Sequence, residues 1–299
     1  MTTPAEDAAG TIALRQYGTS VPARLQHAID RIWARNPASC IGALILLAWL
    51  AVAVSVPLWT PYASNAQDVA HRLQGPSLHH LMGTDTLGRD VLSRTLLGSR
   101  ISLPVAVVVI AVSSVIGTAL GTISGYFGGA IDEVMMRVVD ITLAFPAIVL
   151  AMAITAALGP SLTHAMIAMV AVWWPIYARL MRGQVLTVMP QDHVLAARAL
   201  GAGELRLMAR HIFPVALGPM VVQATTDFGA VVLLTAGLSF IGLGAVPPSP
   251  EWGALISDGR QQFYQWWIAT APGLAILSVV LSFNFLGDAV LDFLDPRRR

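Results

Sequence analysis

Lysine is missing altogether. All 18 basic residues are arginines, 17 acidic residues bring the net charge to +1, and only 12% of the 299 residues are charged. Without a basic field to hold phosphates, a nucleic-acid partner is excluded. Arginine codons are GC-rich and lysine codons are not, so the skew points to a GC-rich genome and says nothing of mechanism. The single cysteine, Cys40, rules out an internal disulfide and a thiolate metal cluster, and at the start of an apolar run it reads as a small hydrophobe. Also absent are a GxxxxGK[ST] phosphate loop, an HExxH helix and a GxSxG nucleophile turn. The seven histidines include no metal-ligand spacing beyond the adjacent His79 and His80, which on a helix would point apart. The chain is expected to bind no cofactor or metal of its own and to catalyse nothing.

Apolar sequence is what the chain has in excess. Hydrophobic residues make up 56% and the mean hydropathy is +0.67, whereas a soluble domain is about a quarter charged. An all-α integral membrane protein follows. A helix needs roughly 20 apolar residues to cross the hydrocarbon core, and six stretches qualify: 41–59, 101–124, 134–158, 162–186, 215–243 and 267–291. The polar segment 1–38 lacks the features of a signal peptide, so the first run reads as a retained anchor.

Arginine placement sets the expected orientation. With the N-terminus in the cytoplasm, Arg15, Arg24, Arg31, Arg35, Arg137, Arg179, Arg182, Arg198, Arg206, Arg210 and Arg297 to Arg299 are inside. Arg72, Arg89, Arg94, Arg100 and Arg260 are outside. Both termini are then cytoplasmic, at residues 1–38 and 293–299. Segment 61–94 and the stretch 244–266, which runs into Trp266 and Trp267 at the start of the sixth span, lie on the outer side.

Several polar or small residues interrupt the spans. Gly117, Gly121 and Gly125 recur every fourth residue, a stripe on which another helix can approach closely; glycine is also simply common in membrane helices. Glu133 and Arg137 have the favourable i, i+4 order for a self-neutralising pair, with Asp140 nearby. Asp227 falls about 18 Å into the fifth span, near the bilayer midplane. An acid there lines a translocation path or makes a structural polar contact. Asn284, Asp288 and Asp292 form a polar stripe at the inner end of the sixth span.

Between spans four and five lies the polar insert 192–214. Asp192 suits an N-cap, Gly201 suits a C-terminal stop, and Glu204 suits the start of a second short helix ending before Pro214. Val194, Leu195, Ala197 and Leu200 would give this elbow an apolar ridge. It either lies on the membrane as an amphipathic loop or docks in a groove of another protein.

The order of the residues carries a resemblance. "LAARALGAGELRLMARHIFP" (Leu195–Pro214) resembles the EAA loop of ABC-importer permeases: Ala196 and Ala197, then Gly201, then Pro214. "LMGTDTLGRDVLSRTLLGSRISL" (Leu81–Leu103), "DEVMMRVVDITLAFP" (Asp132–Pro146) and "LSFIGLGAVPPSPEWG" (Leu238–Gly253) look like signatures of the C-type permease subunit of dipeptide, oligopeptide and nickel importers. The family's usual glutamate at the head of the EAA loop is Leu195 here, leaving shape and Arg198 to make the contact. The resemblance implies a type I ABC importer permease fold in a bacterial inner membrane. Residues 39–60 would be an extra helix and 95–292 the core domain, with the elbow as the coupling helix. It further implies a second homologous permease, two ATP-binding subunits that hold the ATP and Mg, and an extracytoplasmic solute-binding protein. Coupling would fall to Asp192, Val194, Leu195, Ala196, Ala197, Arg198, Leu200, Gly201 and Glu204. Peptide is the expected cargo, with a nickel chelate or another small solute as the alternative. An ion-coupled secondary transporter is the rival of a different class.

Overall fold

In hydrocarbon a backbone must satisfy its own N–H and C=O groups, so apolar segments of this length can cross only as helices. The computed structural model describes residues 37–294, which are almost entirely helical; the one strand-like pairing among them is an isolated bridge between Thr84 and Asp90. Residues 1–36 and 295–299 lie outside the described residues, and with them most of the polar tail 1–38 and the arginines counted at Arg15, Arg24, Arg31, Arg35 and Arg297 to Arg299.

The described helices are α1 (Pro37–Trp59), α2 (Val91–Phe127), α3 (Gly129–Leu143), α4 (Ala147–Leu158), α5 (Leu162–Val188), α6 (Asp192–Ala199), α7 (Glu204–Phe240), α8 (Trp252–Arg260) and α9 (Trp267–Leu294). Of these, α1, α2, α5, α7 and α9 are long and apolar enough to cross a membrane, and α3 with α4 makes a sixth span if the bent pair counts as one. The third span is therefore not the single helix expected over 134–158. It bends by 91° between Leu143 and Ala147. Pro146 has no N–H for the ladder and disfavours helical backbone at Phe145, so α3 stops and α4 starts afresh.

Two tightly packed pairs build the bundle. The first joins α2 to α5 along Gly117, Gly121 and Gly125. A Cβ on Gly117 would lie 2.4 Å from the Trp174 carbonyl oxygen, one on Gly121 2.3 Å from that of Ala178, and one on Gly125 3.0 Å from that of Arg182. The second joins α7 to α9, where Phe228 stacks on Phe283 with ring centroids 3.8 Å apart and Gly229 and Gly287 admit Val280 and Thr226. α1 lies at the periphery of that pair: Trp49 Nε1 donates to Ser278 Oγ at 2.8 Å, and Ser39 Oγ to the Phe285 carbonyl at 3.1 Å. The shared core gathers Val109 of α2, Tyr177 and Met181 of α5, Leu238 of α7 and Trp252 of α8.

Glu133 and Arg137 do not pair with each other. Both are exposed, and the carboxylates of α3 turn to α5 instead. Asp132 accepts from Arg182 Nε at 2.5 Å and Nη2 at 2.6 Å, and Asp140 pairs with Arg179. Arg182 presents Asp132 with two parallel N–H groups, a fork that an i, i+4 neighbour on the same helix does not match.

Candidate functional site

α6 sits at the turn between α5 and α7, and hydrogen bonds close it on both sides. The Gln191 carbonyl accepts from Val194 N at 2.9 Å and Leu195 N at 3.1 Å, which makes Gln191 the N-cap and Asp192 the first helical residue. The N-cap expected at Asp192 is thus displaced by one residue, though its charge still lies in the favourable first turn. At the other end Leu200 N donates to the Ala196 carbonyl, Gly201 N to Arg198 and Ala202 N to Ala197, at 3.0, 3.0 and 3.1 Å. Gly201 has φ of +81°, where a side chain would be strained.

The second limb is not a separate helix. From Glu204 the chain runs unbroken to Phe240, passing through a π-helical turn at Leu207–Ile212 rather than stopping before Pro214. Pro214 cannot supply the N–H of an ordinary helical ladder. The wider turn, in which Phe213 N reaches the Met208 carbonyl, carries the helix past it. The second limb of the elbow is therefore the end of a span.

The apolar ridge divides in two. Val194 is buried and Ala197 half-buried, in one cluster with Leu207 and Ile212 of α7. These two hold α6 to its own chain and do not face outward as the sequence suggested; side chains three apart share a helix face, and that face is spent here. Outward point Leu195 at 47% exposure and Leu200 at 89%, with Ala196, Arg198 and Glu204 also exposed. Leu205, 77% exposed beside Glu204, joins this outward set. The alanine–glycine pattern does not include Leu205; its signal in the sequence is an apolar residue directly behind a helix-starting acid.

Asp227 occupies the middle of the Phe213–Phe240 stretch, about 20 Å from either end. Its residue is 8% exposed, and Gln223 Nε2 donates to its Oδ1 at 2.9 Å. Among the described residues Asp227 Oδ2, Tyr177 Oη of α5 and Trp173 Nε1 of α5 are each buried without a hydrogen-bond partner. Sequence reasoning singled out the acid without Gln223, its partner one turn earlier on the same face. Asn284, Asp288 and Asp292 are exposed towards the end of α9.

At the end of the bundle opposite α6, the "GTDTLGRDVLSR" stretch forms a knot of charge. Asp85 Oδ2 accepts from Arg89 Nε and Arg94 Nη1, both at 2.6 Å, and each arginine also reaches Asp258 of α8, at 3.2 and 3.4 Å. Asp90 accepts from Ser93 N at 2.7 Å, capping α2, and from His80 Nδ1 at 2.9 Å. Alongside, Glu251 caps α8 through Ala254 N at 3.0 Å and accepts from Ser102 Oγ at 3.2 Å. Burial pushes its carboxyl above the ordinary range, against the pull of the donors around it. Among the described residues no group of three or more His, Cys, Asp or Glu is placed to hold a metal ion.

The family described as binding-protein-dependent transport system inner membrane component matches residues 117–299. The chain belongs to that family. This permease is 43% identical over 267 residues to the dipeptide transport system permease protein of Alkalihalophilus pseudofirmus, covering 89% of this chain and 88% of the relative. It is 39% identical over 272 residues to the di/tripeptide transport system permease protein of Pseudomonas aeruginosa, covering 89% and 90%. Against the glutathione transport system permease protein of Pectobacterium atrosepticum the figure is 38% over 269 residues, covering 89% of each. In fold it is similar to a chain of the inward-facing MetNI methionine ABC transporter, with a TM-score of 0.54 at 20% identity, covering 69% of this chain and 96% of that one. The permease is a multi-pass membrane transport component, not an enzyme.

Proposed function

We propose that this permease forms, with a second homologous permease, the translocation path of an ATP-driven importer of di- or oligopeptides. The elbow end faces the cytoplasm, and α6 is the coupling helix that seats Leu195, Ala196, Arg198 and Leu200 on an ATP-binding subunit, with Leu205 at its edge. Two such subunits bind the ATP and Mg, and an extracytoplasmic solute-binding protein delivers the peptide to the opposite end. The relatives named for dipeptides, tripeptides and glutathione support a peptide cargo. The observation that carries the coupling role is Leu200, 89% exposed on an elbow that is otherwise closed by hydrogen bonds and anchored by Val194.

The permease does no chemistry. Closure of the ATP-bound subunits presses on α6, and because α6 is fixed to both α5 and α7, those spans turn and open the cavity outward. Hydrolysis and release favour the inward-open arrangement. Nucleotide state thus acts as a ligand with different affinities for two cavity conformations. Purification from the native membrane in mild detergent is the direct test. A second permease and ATP-binding subunits should come with the tagged chain, and ATP hydrolysis by that complex should rise when a peptide-loaded binding protein is added. A chain that purifies alone and transports without ATP would overturn the reading in favour of an ion-coupled carrier.

A further inference from the structure

α7 and α9 do not pack alike along their length. Near Asp227 they meet closely: Phe228 stacks on Phe283, and Cβ atoms on Gly229 and Gly287 would lie 3.3 Å from Val280 and 2.8 Å from Thr226. Towards the end away from the elbow they part. At Gly237 of α7 and Gly273 of α9 nothing lies within 4 Å of an added Cβ. With Ile256 of α8 they enclose a groove of about 500 Å³, which runs from Leu233 to Phe240 on α7 and from Gly273 to Val280 on α9. Every residue along it is apolar, and Leu233 and Leu277 are exposed.

Depth and charge narrow what can fill it. Gly273 lies six residues beyond Trp267 and Val280 thirteen, about 9 and 20 Å along α9. The chains of one leaflet occupy about 15 Å, half of the roughly 30 Å hydrocarbon core, so the groove lies among the acyl chains of the leaflet away from the elbow. A cation stands at its shallow end. The Arg260 guanidinium is 5.4 Å from the centroid of the Phe240 ring, which lines the groove. α8 is held at that level because Gly259 packs on Ala269, where an added Cβ would lie 3.0 Å from the backbone nitrogen. Arg260 is exposed and makes no ion pair among the described residues. Stacked on an aromatic face, its planar fork stays free for an anion.

A further membrane helix does not fit this space. Side chains included, it is 10–12 Å across, so the 10 Å of groove along α7 would need roughly 800–1,100 Å³. An apolar helix also offers Arg260 no anion. A peptide would bring N–H and C=O groups that apolar walls leave unpaired. A hydrocarbon chain needs no partner, and a phosphate answers a guanidinium with two parallel acceptors.

We propose that the groove between α7, α8 and α9 binds one acyl chain of a phospholipid with an anionic head, its phosphate on Arg260. The lipid stands where α7 and α9 part and fills the space that Gly237 and Gly273 leave open. The site depends neither on the coupling role of α6 nor on the cargo.

The test uses the assembled complex in mild detergent, washed free of lipid, titrated with dioleoyl phosphatidylglycerol or dioleoyl phosphatidylcholine and weighed intact by native mass spectrometry. One phosphatidylglycerol per permease should bind about tenfold more tightly than phosphatidylcholine, the worth of a hydrogen bond to a charged group. Arg260→Gln, an exposed change that leaves the fold alone, should erase that preference. Gly273→Leu puts a side chain where the structure has room for one and should abolish tight binding of both lipids. Equal binding of the two lipids by the wild-type complex, unaffected by either variant, means annular lipid only and overturns the site. So does loss of the second permease from Gly273→Leu with lipid binding unchanged in Arg260→Gln, which would give the groove to a neighbouring helix.

Discussion

Val194 and Leu200 stand six residues apart on the same elbow, one sealed against Leu207 and Ile212 and the other 89% exposed. A charge should therefore do different damage at the two places. Val194→Asp buries a carboxylate without a partner, so the yield of assembled permease should collapse. Leu200→Asp leaves the fold alone and should abolish peptide uptake while ATP hydrolysis continues or ceases to respond to the binding protein. Normal uptake by Leu200→Asp would remove α6 from the coupling path.

The glycine stripe should respond in graded fashion. Gly117→Ala and Gly121→Ala force a methyl group to within 2.4 and 2.3 Å of carbonyl oxygens, whereas the same change at Gly125 meets its neighbour at 3.0 Å. Overpacking of this kind costs about 1–3 kcal/mol. Melting temperatures of the purified complex should fall for the first two and least for Gly125→Ala. Equal melting temperatures at all three positions would show that α2 and α5 can separate without loss.

In the charge knot the two aspartates are not equivalent. Asp85 serves both arginines and is almost fully buried, while the Asp258 side chain is 30% exposed and touches them at longer range. Asp85→Asn leaves two buried guanidinium groups short of an anion, a loss of about 3–5 kcal/mol, and Asp258→Asn should cost clearly less. Urea- or heat-induced release of a fluorophore placed on α8 would rank them. The reverse order would mean that the knot is organised around α8 rather than around the loop.

Glu251 makes stability depend on pH. Burial holds its folded carboxyl above the ordinary 4.5 despite donors from Gly253, Ala254, Ser239 and Ser102. A group raised in this way contributes stability that is fully present below 4.5 and is lost as the pH climbs from there through the raised folded value. Compared with Glu251→Gln, the wild-type permease should lose melting temperature as the pH rises above 4.5. A difference that stays flat as the pH rises contradicts the assignment.

Much of this architecture was legible because membrane crossing leaves few options. Hydropathy located the spans, and the four motifs in order pointed to the family. Side-chain direction was less accessible. The i, i+4 rule paired Glu133 with Arg137, but it is blind to α5, whose Arg182 and Arg179 take the neighbouring carboxylates. Val194 and Ala197 were read as a ridge for another protein because the sequence does not say which face of a short helix its own chain will claim. Pro214 looked like a stop, since a π-helical turn that absorbs a proline leaves no mark in composition. Asp227 was visible as an oddity, yet nothing in the sequence marks Gln223, one turn earlier, as the partner of its carboxylate.

The corner at Phe145–Pro146 carries its own implication for how this permease meets its surroundings. α4 has 12 residues and so reaches about 18 Å, well short of the roughly 30 Å that oil occupies in a bilayer. Irregular backbone inside the hydrocarbon survives only against protein or beside water, so if the 91° break lies within the bilayer, the corner belongs on a flank turned away from lipid.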